Sequence, residues 1–161
     1  MIRLIAAIDR QRGVAKHGFM PWSIPEDERY FTDQTKLYGG NVLTGGVTFS
    51  GTYHGPLAGR QNFILTRKLE PITGATVVNN LNEFMKSFSG QELWVAGGAN
   101  VFEQVMVAGY ADELYLTEID ADFGCDQFFP DYQANFKLVE KSEDREQNGF
   151  GFVYARYAKK A

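Results

Sequence analysis

Six short runs of β-branched and aliphatic residues recur along the chain, and helical patterns fill some of the intervals. The runs are RLIAAI, NVLT, NFILT, ATVV, ELWVA and ELYLTEI, each closing on Gly, Asp, Thr or another turn residue, as strands do. Between two of them, NNLNEFMKSF opens with Asn80 and Glu83 as a cap pair, and Leu81, Phe84, Met85 and Phe88 make one apolar stripe. ANVFEQVMVAGY reads as a further helix closed near Gly109. Strands alternating with helices predict an α/β fold with a mostly parallel sheet covered on both faces. The tail reads differently: FKLVEK and GFVYARYAKK flank a polar loop, so an antiparallel hairpin should end the sheet. In open sheets of this class the ligand sits beyond the carboxyl ends of the strands.

At 161 residues the expectation is one domain spanning 1–161. A net charge of −4 with no basic stripe argues against a nucleic-acid surface, although a local cationic pocket for a phosphorylated small molecule stays open. One cysteine, Cys125, rules out an internal disulfide and a cysteine-rich metal site. His17 and His54 lack partners at metal-ligand spacing, so no metal is expected. No run approaches the ~20 apolar residues of a membrane span, and a cytoplasmic protein is the default reading.

The segment MPWSIPEDERYF places three acids, Glu26, Asp27 and Glu28, behind Pro25. Ser23 followed by Glu26 matches a capping box, with Pro25 in the first turn. Ile24, Asp27 and Phe31 fall at i, i+3 and i+7, which turns Asp27 toward the core, while Glu28 lies on the flank of that stripe. A carboxylate on an apolar face should have a raised pKa and serve as an acid or as an acceptor for a cationic ligand. The pattern alone equally allows acids that complement the helix dipole, or an Asp27 paired with an internal Arg.

Two strand ends run into paired glycines, Gly45-Gly46 and Gly97-Gly98. Neither fits the usual dinucleotide fingerprint, and such a pair is often only a turn, but glycine also lets a phosphate approach bare backbone. Thr66, Arg67 and Lys68 follow the run NFIL and suit either a phosphate monoester or a solvated loop. Arg60 could clamp a carboxylate or lie on the surface.

LIAAID, PWSIPED with Phe31, TGGVTF, PLAGRQNFILTR, VAGGANVFEQ, LYLTEID and FFPDY stand in an order and spacing that resembles the dihydrofolate reductase family, from Met1 to about Tyr132. The resemblance implies an eight-stranded, mostly parallel sheet with an antiparallel C-terminal strand and about four helices. It implies hydride transfer from NADPH to C6 of dihydrofolate, with protonation of N5, and small-molecule partners that could include antifolates; a monomer is the default expectation. Asp27 would hold the 2-amino group and N3 of the pterin, with Thr117 sharing the contact through its hydroxyl and a water. Ile5, Ala6, Phe31, Ala96 and Phe102 would line the pterin site, with Glu28 at its edge. Leu57 would pack on the aminobenzoyl ring, and Arg60 would hold the α-carboxylate of the glutamate tail. Ala7, Val14, Gly18, Gly45, Gly46, Val47, Thr48, Gly97, Gly98, Ala99, Asn100, Val101 and Phe102 would surround the cofactor. Leu65, Thr66, Arg67 and Lys68 would meet its adenosine end and 2′-phosphate. The Gly97-Gly98 bond would be cis. Residues from about Asp9 to Trp22, with Gly13, Met20 and Trp22 itself, would form a lid over the nicotinamide.

Six positions depart from the family pattern, among them Ala99 and Asn100, which stand where a third glycine and often a basic or polar residue are common. Gly46 replaces a basic residue that touches cofactor phosphate, and Ala15 replaces a lid glycine. Ala96 replaces a larger aliphatic residue beside the pterin, and Glu28 an apolar one, so both should alter affinity for diaminopyrimidine antifolates. The rival readings are the reductase domain of riboflavin biosynthesis, a non-catalytic pterin- or nucleotide-binding protein, and an interaction module that would leave Asp27 unexplained.

Overall fold

The computed structural model describes residues 1–161. Each of the six apolar runs forms a strand. In chain order the strands are β1 (Ile2–Ile8), β2 (Gly13–Ala15), β3 (Asn41–Gly45), β4 (Gln61–Leu65), β5 (Thr76–Val78) and β6 (Leu93–Val95). They continue as β7 (Glu113–Ile119), β8 (Gln127–Phe128), β9 (Phe136–Lys141), β10 (Arg145–Gln147) and β11 (Phe150–Lys159). The helices are α1 (Pro25–Thr35), α2 (Gly46–Gly51), α3 (Leu81–Ser87) and α4 (Ala99–Val107).

The main sheet runs β10-β11-β7-β1-β6-β3-β4-β5, eight strands abreast, and β9 also pairs with β11. All pairings from β7 through β5 are parallel, and β11 is antiparallel to β7, β9 and β10. The tail is therefore the antiparallel end that its polar loop predicts.

Strand alternation distributes the core over both faces. Leu4, Leu43 and Val95 join the cluster with Val101, Phe102 and Val105 of α4, whereas Ile5, Val42, Trp94 and Ala96 point the other way and pack with Tyr30 and Phe31 of α1. Burial on both faces is why these strands read as continuous apolar runs. On α3, Asn80 accepts from the Glu83 N–H at 3.0 Å, as its cap position predicts, and Phe84 and Met85 are buried. Gly109, with φ 78°, follows the end of α4.

The capping box at α1 does not form. Ile24 is the N-cap residue and has no side chain that can cap the helix, and Pro25 takes the first helical position. The Glu26 carboxylate turns away to Arg145 and Tyr154, and its N–H donates to Gln147 Oε1 at 2.7 Å. Charge-assisted bonds to a guanidinium outweigh a return bond to a backbone N–H.

Two strands carry no clear sequence signal. β2 and β8 form a separate antiparallel ribbon that ties the lid segment to the loop after β7.

Candidate active site

The carboxyl ends of β1, β3, β4, β6 and β7 open onto a cavity of about 1390 Å³. That exceeds the 300–1,000 Å³ typical for one drug-sized ligand, so there is room for two partners side by side.

Its first arm lies between α1 and the segment holding Leu57. Ile5, Ala6, Asp27, Glu28, Phe31, Leu57, Ala96 and Thr117, the residues expected at the substrate, line it together. Asp27 is half-buried, and its one hydrogen-bond partner is Thr117, whose hydroxyl donates to Oδ1 at 2.5 Å. No cation pairs with Asp27, which removes the internal-arginine reading. Loss of water pushes its carboxyl up to about 6, against the pull of the Thr117 hydrogen bond and with added repulsion from Glu28 and Glu26. Glu28 itself is exposed on the cavity wall.

The second arm runs from the two glycine junctions to the end of β4. Ala7, Val14, Gly18, Met20, Gly45, Gly46, Val47, Thr48, Leu65, Thr66, Arg67, Lys68, Gly97, Gly98, Ala99, Asn100, Val101 and Phe102 line this arm. The Gly45 N–H donates to Gly97 O at 2.8 Å, which draws the junctions together, and the Gly97-Gly98 bond is cis. A Cβ on Gly98 would fall 2.7 Å from Thr48 Oγ1, so glycine is what lets the backbone form the wall there. No side chain caps α4, leaving its first-turn N–H groups and positive dipole end for an anion. At the far end, the Asn79 amide donates to Thr66 O at 2.7 Å and Lys68 O at 2.9 Å, fixing the loop that carries Arg67. Bare backbone, an open helix end and a cationic step are a donor set that fits a phosphorylated dinucleotide.

Two expected residues stand apart from the lining. Trp22 is buried against Ile24, Ile119 and Phe152, with its ring 5.1 Å from that of Phe123. Arg60 donates through Nη1 to Thr35 Oγ1 at 2.9 Å, at the carboxyl end of α1 one turn beyond Phe31.

Other contributors were not singled out from the sequence. Tyr53 stacks on Phe31 with ring centres 5.3 Å apart, and its hydroxyl donates to Ala96 O at 2.8 Å. Its segment has no periodicity that would mark it. Asp9 reads as a turn residue, yet it is buried and organises the lid. Its Oδ1 accepts from the Gln11 and Gly13 N–H groups at 2.9 and 2.7 Å, and its Oδ2 accepts from the Phe123 N–H at 3.1 Å. Those bonds outweigh desolvation and hold the Asp9 carboxyl below the usual range. Asn79, a polar residue in a turn, gives no sign of its bridging role.

The chain matches the family model described as dihydrofolate reductase over residues 1–159. It is 34% identical to the dihydrofolate reductase of Bacillus subtilis, with 99% of this chain and 95% of the relative covered. With that of Drosophila melanogaster it shares 31% identity, covering 94% and 93%. Among solved structures, a dihydrofolate reductase from Enterococcus faecalis complexed with NADP(H) and RAB-propyl superposes with a TM-score of 0.87. That pair is 26% identical and covers 100% of this chain and 97% of the other. A match spanning nearly the whole chain, on a fold whose strand ends build this two-armed cavity, places the protein in the dihydrofolate reductase family.

Proposed function

We propose that the protein reduces 7,8-dihydrofolate to 5,6,7,8-tetrahydrofolate with NADPH, supporting one-carbon metabolism. The observation that carries this reading is Asp27: a half-buried carboxylate with no counter-cation, bonded only to Thr117 on the wall of a cavity with room for two ligands. With a pKa of about 6 the group is mostly ionised at neutral pH. It then accepts hydrogen bonds from the 2-amino group and N3 of the pterin, and the dry setting strengthens both. The Thr117 hydroxyl fixes the carboxylate and shares that contact.

NADPH, when bound, supplies the hydride delivered to C6. Thr66, Arg67 and Lys68 would hold its adenosine phosphate, and the glycine junctions with the start of α4 its pyrophosphate. Met20, Gly18 and Val14 would cover the nicotinamide side and limit water there. N5 lies across the ring from Asp27, so a water delivers its proton, and the negative carboxylate favours that protonation through the ring. Arg60, one turn past Phe31, takes the α-carboxylate of the substrate tail, and Trp22 supports the lid from behind.

An uninterrupted sheet suits one domain over 1–161, and we take the protein to act as a monomer. No helix is long and apolar enough to cross a membrane. With a net charge of −4 and a single cysteine, we place the enzyme in the cytoplasm, acting on small molecules and not on nucleic acid.

The test is oxidation of NADPH, followed by its near-ultraviolet absorbance, with dihydrofolate and, in parallel, with the ribosylated pyrimidine used in riboflavin biosynthesis. Turnover with dihydrofolate alone is the expected result. Turnover with the pyrimidine alone, or with neither, would overturn the proposal.

A further inference from the structure

Outside the cavity, Arg145, Gln147 and Tyr154 of the C-terminal hairpin converge on the first turn of α1. The Arg145 Nε of β10 donates to Glu26 Oε2 at 2.7 Å, and its Nη2 lies 3.4 Å from Oε1. From β11, the Tyr154 hydroxyl donates to the same Oε2 at 3.0 Å, and its ring stacks on Tyr30 of α1 with centres 3.9 Å apart. Tyr154 is also the register partner of Thr117 on β7, the residue that holds Asp27. The first turn of α1 is therefore fixed on both sides: Glu26 to β10 and β11, and Asp27 to β7.

Neither Arg145 nor Tyr154 caps the helix: Ile24 offers no side-chain cap, and the first-turn N–H of Glu26 is taken by Gln147 Oε1. It also gathers charge beside the one group that the reaction depends on. Glu26 is the sequence neighbour of Asp27, and an unbalanced negative charge there makes ionisation of Asp27 harder. Arg145 cancels that charge from the solvent side.

Resting on the reductase reading, we propose that Arg145 is a positioning residue for catalysis, holding Glu26 neutralised and α1 in register so that the Asp27 carboxylate meets the pterin edge. Besides Thr117, the groups around Asp27 are Glu26, Glu28 and Tyr30 on α1, Tyr53 after α2, and Tyr154 on β11. All three tyrosines have pKa values raised by burial, and hence stay neutral through the working range. Two cations act on Glu26: Arg145, which bonds its carboxylate directly, and Arg29 on α1, which lowers its pKa through charge alone.

The proposal makes a prediction of sign that a purely structural role does not. Arg145→Met removes the compensating charge and should raise the Asp27 pKa, whereas Glu26→Gln should lower it. The double variant should return close to the wild-type value, and Arg145→Lys should recover most of the effect of losing the guanidinium. Carbon-13 NMR titration of the Asp27 carboxyl in the apoprotein reads these shifts without turnover, so failure of the reductase reading would be seen separately as a wild type that oxidises no NADPH. In the assay, Asp27 stays mostly ionised at pH 7 after a modest rise in its pKa, so Arg145→Met should lower kcat only slightly there and more toward pH 6, with KM for NADPH unchanged. Should Arg145→Met not fold, Tyr154→Phe removes one hydroxyl and should shift Asp27 in the same upward direction by less. Lower melting temperatures with the Asp27 titration unmoved in every variant, or shifts of one sign in Arg145→Met and Glu26→Gln, would overturn the proposal.

Discussion

A carboxylate held away from water without a cation opposes folding whenever it is ionised. Asp27 is such a group, with its carboxyl raised from an ordinary 3.8 to about 6. Below the lower value it is protonated both folded and unfolded, and no penalty arises. Above the upper one it is ionised in both states, and the folded form bears the full difference, roughly 1–3 kcal/mol by linkage. Asp27→Asn should therefore raise the free energy of unfolding by about that amount near pH 7.5, with the gain fading toward pH 4. Urea denaturation at the two pH values measures it, and equal stability of both proteins at pH 7.5 would contradict the burial argument. Stability surrendered at one position in this way is the usual mark of a site kept for function.

At the scale of elements, the glycine junction before α4 is the part most sensitive to a single methyl group. A Cβ on Gly98 meets Thr48 Oγ1 at 2.7 Å, too close without displacing one wall of the cofactor arm. Gly98→Ala should weaken NADPH binding about tenfold, on the order of 1.4 kcal/mol, with the circular dichroism unchanged. Fluorescence titration with NADPH reads this, and undiminished affinity would remove the close-packing role of Gly98. Elements also show how far the sequence could be followed. Strands buried on both faces announce themselves as apolar runs, and Asn80 with Glu83 marks the start of α3 because the cap is local. Glu26 looks like part of a local cap for the same reason, but its partner Arg145 is remote along the chain and no spacing rule connects them. Asp9 is hidden similarly: its acceptors serve Gly13 and, across the molecule, Phe123. A Cβ on Gly13 would lie 2.7 Å from Cys125 Sγ, so the lid and the loop after β7 fit by a gap in one chain segment matching a side chain in another. Site residues on strand ends were legible, and those defined only by tertiary partners were not.

Across the whole molecule, the parallel strands bring their carboxyl ends to one edge, so residues as distant as Ala6, Gly45, Thr66, Gly97 and Thr117 share a cavity. The antiparallel hairpin closes the other side of α1 and completes the surroundings of Asp27. Under the proposed function this arrangement meets one chemical demand: a carboxylate, ionised at neutral pH and without a counter-cation, that would lie against the amino edge of a pterin. The pH profile of turnover with NADPH and dihydrofolate, for the wild type and Asp27→Asn, addresses that demand directly. Near pH 7 the variant should lose roughly 10²–10³-fold in rate, and the deficit should shrink toward pH 5, where the substrate arrives already protonated. Turnover by Asp27→Asn equal to that of the wild type at neutral pH would contradict it.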